Sequence, residues 1–232
     1  QDDFAGRKLY IADGHHRYET ALNYRRHLKE QGTDCPGSDF VLMTLADMSD
    51  DGLVVFPTHR LVRGLEKFDS QQLLKACEEY FDISPVEDSV KAQSALDYGY
   101  INGKHCFAFY DKEKWHILTL KDAGVMESLL PDKSSAYREL DVTLLHTLVL
   151  ERLMGIDREN MANQTNLTYT RSAEEAARSV ASGESNCCFL LNPTRVEEIC
   201  SVASCGEKMP QKSTYFYPKL ITGFVINDLS QN

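Results

Sequence analysis

The chain has 232 residues, 42% of them hydrophobic and 26% charged, the make-up of one large or two small globular domains with a real core. Its formal net charge of −10 argues against broad binding to nucleic acid or anionic membrane, although a local basic patch survives that argument. No apolar run approaches ~20 residues, so no membrane span is predicted.

The first ordered stretch is predicted to be a strand, Leu9 to Ala12, turned by Asp13-Gly14 into a helix. Tyr18, Ala21, Leu22 and Leu28 carry the helical spacing. Gly14 permits a tight turn that a side chain would obstruct. Asp13, His15, His16 and Arg17 crowd the turn and the first helical turn. Free N–H groups and the positive end of the helix dipole attract anions there, and Arg17 adds a planar fork suited to phosphate or carboxylate. The plainer alternative is that Asp13 caps the helix while the His and Arg side chains are solvated.

After the helix, Thr33 to Asp39 reads as a loop and Phe40 to Ala46 as a buried strand. An acidic turn, Asp47 to Gly52, leads to a strand at Leu53 to Phe56. That strand runs into Pro57-Thr58-His59-Arg60, a second cluster of ligand-capable side chains at a strand end. A hydrogen-bonded turn is the competing reading for His59 and Arg60.

Residues 68 to 121 read as a small α+β layer. A helix capped by Asp69 or Ser70 carries Leu73, Leu74, Cys77 and Tyr80 as its apolar stripe. A strand at Phe81 to Val86, a helix at Val90 to Tyr98 and a hairpin of Cys106–Tyr110 with Trp115–Leu120 follow. His105 and His116 read as sheet-surface residues. Further on, an apolar helix from Leu144 to Met154 is preceded by Asp141 as candidate cap and stopped by Gly155. His146, set among leucines, reads as a core histidine. Asn166 to Tyr169 is a short strand, Ser172-Ala173-Glu174-Glu175 a capping box opening a helix to Ser182, and Cys187 to Leu191 a buried strand. A helix spans Val196 to Ser204.

The loop that follows, Glu207 to Lys219, combines three lysines, three aromatics and two prolines before a final predicted strand, Leu220 to Ile226. Pro210 and Pro218 limit its freedom. It reads either as a loop tucked over a sheet by Tyr215, Phe216 and Tyr217, or as a rigid presenter of Lys212, Ser213 and Thr214 to an anion. The seven cysteines include no C-x-x-C pair and read as reduced thiols in a cytoplasm, without disulfides or structural zinc. Walker-type, G-x-S-x-G and H-E-x-x-H motifs are absent from the sequence. There is no initiator Met and no signal-peptide pattern, and the chain is expected to be part of a longer or processed protein.

Three segments carry a resemblance: IADGHHRYETAL (Ile11 to Leu22), PTHR (Pro57 to Arg60) and MPQKSTYFYPKL (Met209 to Leu220). With them the chain, from Lys8 to Leu229, resembles the bacterial and archaeal family known as domain of unknown function 1015, whose members are longer at the N-terminus. The Asp-Gly-His-His-Arg turn also resembles the phosphate motif of the ParB and sulfiredoxin-like nucleotide-binding superfamily, which includes an ADP-dependent free-serine kinase. That second resemblance implies phosphate contacts from Gly14, His15, His16 and Arg17, with Asp13 binding Mg²⁺ or orienting substrate and Asp13 and His16 as catalytic candidates. It does not reach sulfiredoxin chemistry, because Asp13 and Gly14 stand where that enzyme needs a Cys. Kinase relatives carry an acidic catalytic residue upstream of the motif, where this chain has only Asp2 and Asp3.

The expected fold is α+β, with mixed sheets and flanking helices. A ParB-like phosphate-binding lobe is expected over residues 1–66 and a mixed α+β lobe over 67–232. The expected function is nucleotide or other phosphate binding (ATP, ADP or CTP, with Mg²⁺), as a small-molecule phosphotransferase or alternatively as a non-enzymatic ParB-like regulator. The expected partner is an anionic small molecule or nucleotide; charge disfavours DNA, and no membrane is involved. His59, Arg60, Lys212, Ser213 and Thr214 are expected to join the Asp13 turn in one electropositive pocket.

Overall fold

The computed structural model describes residues 2–50, 52–221 and 223–229. These form two compact units. The smaller comprises the chain up to Val54 together with the chain from Phe216 onward; the larger is Val55–Tyr215.

In the smaller unit the principal element is α1 (His15–Glu30). Leu28 is its buried side chain, and Asp39, at the end of a 3-10 turn over Pro36–Asp39, accepts from Arg25 and lies 3.6 Å from Lys29. The structure corrects three expected strands here. Leu9–Ala12 and Phe40–Ala46 are irregular backbone, and no strand is formed by the described residues of Leu220–Ile226; Thr222 lies outside the described residues. Phe40 and Leu42 are 61% and 59% exposed rather than buried. Strand-forming side chains become a strand only when neighbouring backbone takes their N–H and C=O groups, and these segments have no ladder partner among the described residues. The chain passes to the larger unit at β1 (Val54–Val55).

The larger unit is built on β2 (His59–Val62), α2 (Ser70–Cys77), β3 (Phe81–Val86), α3 (Ser89–Ile101), β4 (Cys106–Tyr110) and β5 (Trp115–Leu120), then α4 (Val125–Leu129), α5 (Ser135–Arg138) and α6 (Asp141–Leu144). α6 runs on as a π-helix over Leu145–Glu151, followed by α7 (Arg158–Asn163), β6 (Leu167–Thr170), α8 (Ala173–Ser182), β7 (Cys187–Leu190) and α9 (Val196–Ser204). The chain then leaves the unit at β8 (Phe216–Tyr217). Six strands pair antiparallel in the order β3-β5-β4-β7-β2-β6. The α+β reading therefore holds.

Alternation along these strands sends side chains to opposite faces. Val62, Phe107, Phe109, Leu118 and Phe189 join one core with Leu144, Leu145 and Leu148 from α6 and the π-helix. Leu61, Ala108, Ile117, Cys188 and Leu190 join the other with Ala92 and Leu96 of α3 and Ala176 and Val180 of α8. Asp69, Asp88, Ser134, Asp157 and Ser172 cap their helices by accepting from backbone N–H groups, as short polar side chains at N-caps do. Asp141 does not cap α6: it is the first helical residue and instead holds His105, Nδ1 to Oδ1 2.8 Å. That bond raises the His105 pKa above its ordinary value against the opposing effect of burial. No helix among the described residues is long and apolar enough to cross a membrane.

Candidate functional site

In the smaller unit, Gly14 sits at the N-cap of α1 with φ 82°, a left-handed conformation that favours glycine. No side chain among the described residues caps the helix, and its first turn holds no acid. The N–H groups and the positive dipole end at such a helix start attract acceptors. Arg17 folds back over the turn: an added Cβ on Gly14 would lie 2.8 Å from an Arg17 Nη and 3.0 Å from its Nε. Asp13 ties two cations together, with Lys219 Nζ 2.9 Å from Oδ1 and an Arg17 Nη 3.6 Å from Oδ2. Partial burial works against the Asp13 charge, but Lys219, the Gly14 N–H and Arg17 outweigh it and hold the carboxyl below its ordinary value. His16 is fully exposed, 3.7 Å from Glu19.

In the larger unit, the structure corrects the placement of His59 and Arg60. They are not in a strand-end turn but in β2, both buried and, by alternation, on opposite faces. His59 Nδ1 accepts from the Leu191 N–H at 3.2 Å, so this nitrogen carries no proton. Burial, and then the Arg60 charge, lower the His59 pKa to about 4. Arg60 is fully buried. Its Nε donates to His146 Nε2 (3.1 Å), one Nη to the Thr58 carbonyl and the other to the Lys212 carbonyl (3.1 Å). Its guanidinium lies 5.4 Å from the ring centroid of Tyr169, its cross-strand neighbour on β6. Burial lowers the Arg60 pKa to about 10 and holds the His146 pKa well below its ordinary value.

The Lys212 loop is therefore anchored from beneath by backbone contacts. Arg60 takes the Lys212 carbonyl, and the Thr194 hydroxyl donates to the Ser213 carbonyl at 2.9 Å. Lys212 itself has φ 53°, an uncommon conformation for a residue with a side chain. Ser213 is buried and its Oγ has no hydrogen-bond partner among the described residues. The structure thus brings Arg60 to the Lys212–Ser213 backbone; His59 points to the other side of the sheet.

A family model matches residues 1–143, more than half of the chain. The chain belongs to the family described as protein of unknown function (DUF1015). Among solved structures, this DUF1015 chain is similar to a conserved hypothetical protein from Pyrococcus furiosus, with TM-score 0.45 and 19% identity, covering 89% of this chain and 68% of that one. It is also similar to a free serine kinase in complex with AMP, with TM-score 0.46 and 18% identity over 91% of this chain and 69% of that one. The same kinase as an E30A mutant in complex with ADP gives TM-score 0.44 and 18% identity, over 89% and 66%. No curated protein matches the sequence.

The residues that sequence reasoning missed as site candidates in this DUF1015 chain are Lys219, which reaches Asp13, and Arg171 and Tyr169, which line a cavity in the larger unit; Tyr215, expected only to tuck the loop over a sheet, lines the same cavity. Lys219 stands in the MPQKSTYFYPKL segment, seven residues after Lys212. Arg171 follows a short strand and had no local signal. Among the described residues, no three or more His, Cys, Asp or Glu side chains converge on a metal.

Proposed function

We propose that the Asp13–Arg17 turn binds the phosphate of a nucleotide such as ATP, ADP or CTP. One observation carries this reading: a helix start with no side-chain cap among the described residues and no acid in its first turn, on a left-handed glycine, with a guanidinium folded across it. Backbone N–H groups at such a start bind anions, and Arg17 supplies charge-assisted donors. Lys219 adds a second cation, and Asp13 positions both. In this arrangement Asp13 is a positioning residue.

A Mg²⁺ ion at Asp13 would share the carboxylate with two positive charges, Lys219 Nζ 2.9 Å from one oxygen and an Arg17 Nη 3.6 Å from the other. The low Asp13 pKa also makes it a weak proton acceptor, and His16 stands in open solvent. These features favour binding over proton transfer at the turn.

Calorimetry with AMP, ADP, ATP and CTP, each with and without Mg²⁺, tests the reading. Arg17→Ala is expected to weaken binding by roughly 1.5–3 kcal/mol, the range for a hydrogen bond to a charged group. Equal affinity in variant and parent would remove the turn from the site.

A further inference from the structure

A second group of polar residues lies wholly within the larger unit. There a cavity of about 640 Å³ opens, lined among others by Tyr169, Arg171, Glu175, Lys212, Thr214 and Tyr215. Its size is that of a small-molecule site. The Arg171 guanidinium sits over the Tyr215 ring, 4.3 Å from its centroid, and no carboxylate among the described residues pairs with it. Lys212 brings a second cation on a loop that Arg60 and Thr194 fasten by its carbonyls. Glu175 is the acid in the lining, and its carboxylate accepts from the Thr170 hydroxyl.

Behind the lining lies a charge without a counter-charge. Arg60 is fully buried, and its three acceptors, on His146, Thr58 and Lys212, are all neutral. Among the described residues no carboxylate pairs with it. A buried cation is costly unless an anion compensates it. It shares Tyr169 with the cavity. Close by in the chain, between lining residues Lys212 and Thr214, Ser213 keeps a buried hydroxyl without a hydrogen-bond partner among the described residues, a rarity in folded proteins. Two exposed cations and one buried one therefore outweigh a single acid, on a protein whose net charge is −10. Thr58, Thr168 and Ser172 add hydroxyls to the lining, and Tyr169 and Tyr215 add aromatic surface.

We propose that this cavity is a binding site for a small hydroxylated phosphate ester. Arg171 and Lys212 hold the phosphate, which supplies the anion that Arg60 lacks. The threonine and serine hydroxyls bond the ester's hydroxyl groups, and the tyrosine rings cover its carbon frame. The site is separate in sequence and in charge donors from the Asp13 turn.

The test is calorimetric titration with ribose 5-phosphate, with ribose and inorganic phosphate as partial probes. Three proteins are compared: the parent, Arg17→Ala, and Arg171→Gln/Lys212→Gln. Arg171 and Lys212 are both exposed, so the double variant is expected to keep the parent urea midpoint. Ribose 5-phosphate is expected to saturate the Arg17→Ala protein as it does the parent, and to lose at least about tenfold in affinity in the double variant. Arg171→Lys with Lys212 intact should recover part of that loss, and ribose alone should not saturate any of them. Nucleotide affinity, by contrast, should fall in Arg17→Ala and hold in the double variant, so failure at one site is distinguishable from failure at the other. Parent-like ribose 5-phosphate affinity in the double variant overturns the proposal, and so does loss of that binding in Arg17→Ala alone.

Discussion

Acidification should destabilise the larger unit through its buried histidines. His59 is 3% exposed and its Nδ1 must accept from the Leu191 N–H; a second proton on the ring would turn N–H against N–H. Its pKa of about 4 in the fold lies below the ordinary 6.5 of an unfolded chain. Between those values the unfolded chain binds more protons than the folded one, so stability falls as pH falls. The contribution is complete above pH 6.5 and is lost progressively towards pH 4. From about pH 7.5 to about pH 5 the two pKa values imply a loss of roughly 2 kcal/mol. His146, which accepts from Arg60 Nε, is shifted in the same direction and adds to the loss. His105 works oppositely: its raised pKa contributes stability below 6.5 that is lost as pH rises through the folded value. Urea unfolding at the two pH values measures the balance, and His59→Asn isolates the His59 share while keeping an acceptor for Leu191. Acid sensitivity in His59→Asn equal to that of the parent, or a His59 ring that titrates near 6.5 by NMR, would refute the reasoning.

Other consequences can be checked in the same protein. Gly14→Ala places a side chain at φ 82° and drives its Cβ into the Arg17 guanidinium, so it should cost roughly 1–2 kcal/mol in conformational energy and weaken nucleotide binding; parent-like affinity would separate the turn geometry from binding. Phe189→Ala empties a fully buried ring site beside Phe109, 5.2 Å away between centroids, and should destabilise by about 3–5 kcal/mol in denaturant unfolding. Ser172→Ala removes the acceptor for the Glu175 N–H at the start of α8 and should cost about 1 kcal/mol by the same measurement.

Local signals marked much of the larger unit. Alternating apolar residues in Cys106–Tyr110 and Trp115–Leu120, separated by a short polar turn, were enough to specify a hairpin, and the structure pairs them Phe107 to Leu118 and Tyr110 to Trp115. Caps at Asp69 and Ser172 marked helix starts because the capping bond spans three residues. Gly14 before an amphipathic run marked the start of α1 in the same way, and His146 among leucines marked a core residue.

Tertiary structure decided the rest. Whether an apolar run becomes a strand depends on a partner that lies elsewhere in the chain. Val62 finds Cys187 across more than a hundred residues, while Phe40–Ala46, equally rich in strand formers, finds none among the described residues. The same holds for charge. Arg60 looked like a loop cation because Pro57 and Thr58 precede it; the register of β2 against β6 and β7 buries it over Tyr169 and against His146. The side chain's chemistry was legible in the sequence. Its solvent, and hence the free energy of its charge, was set by strand pairing over long sequence separations, which no local pattern encodes.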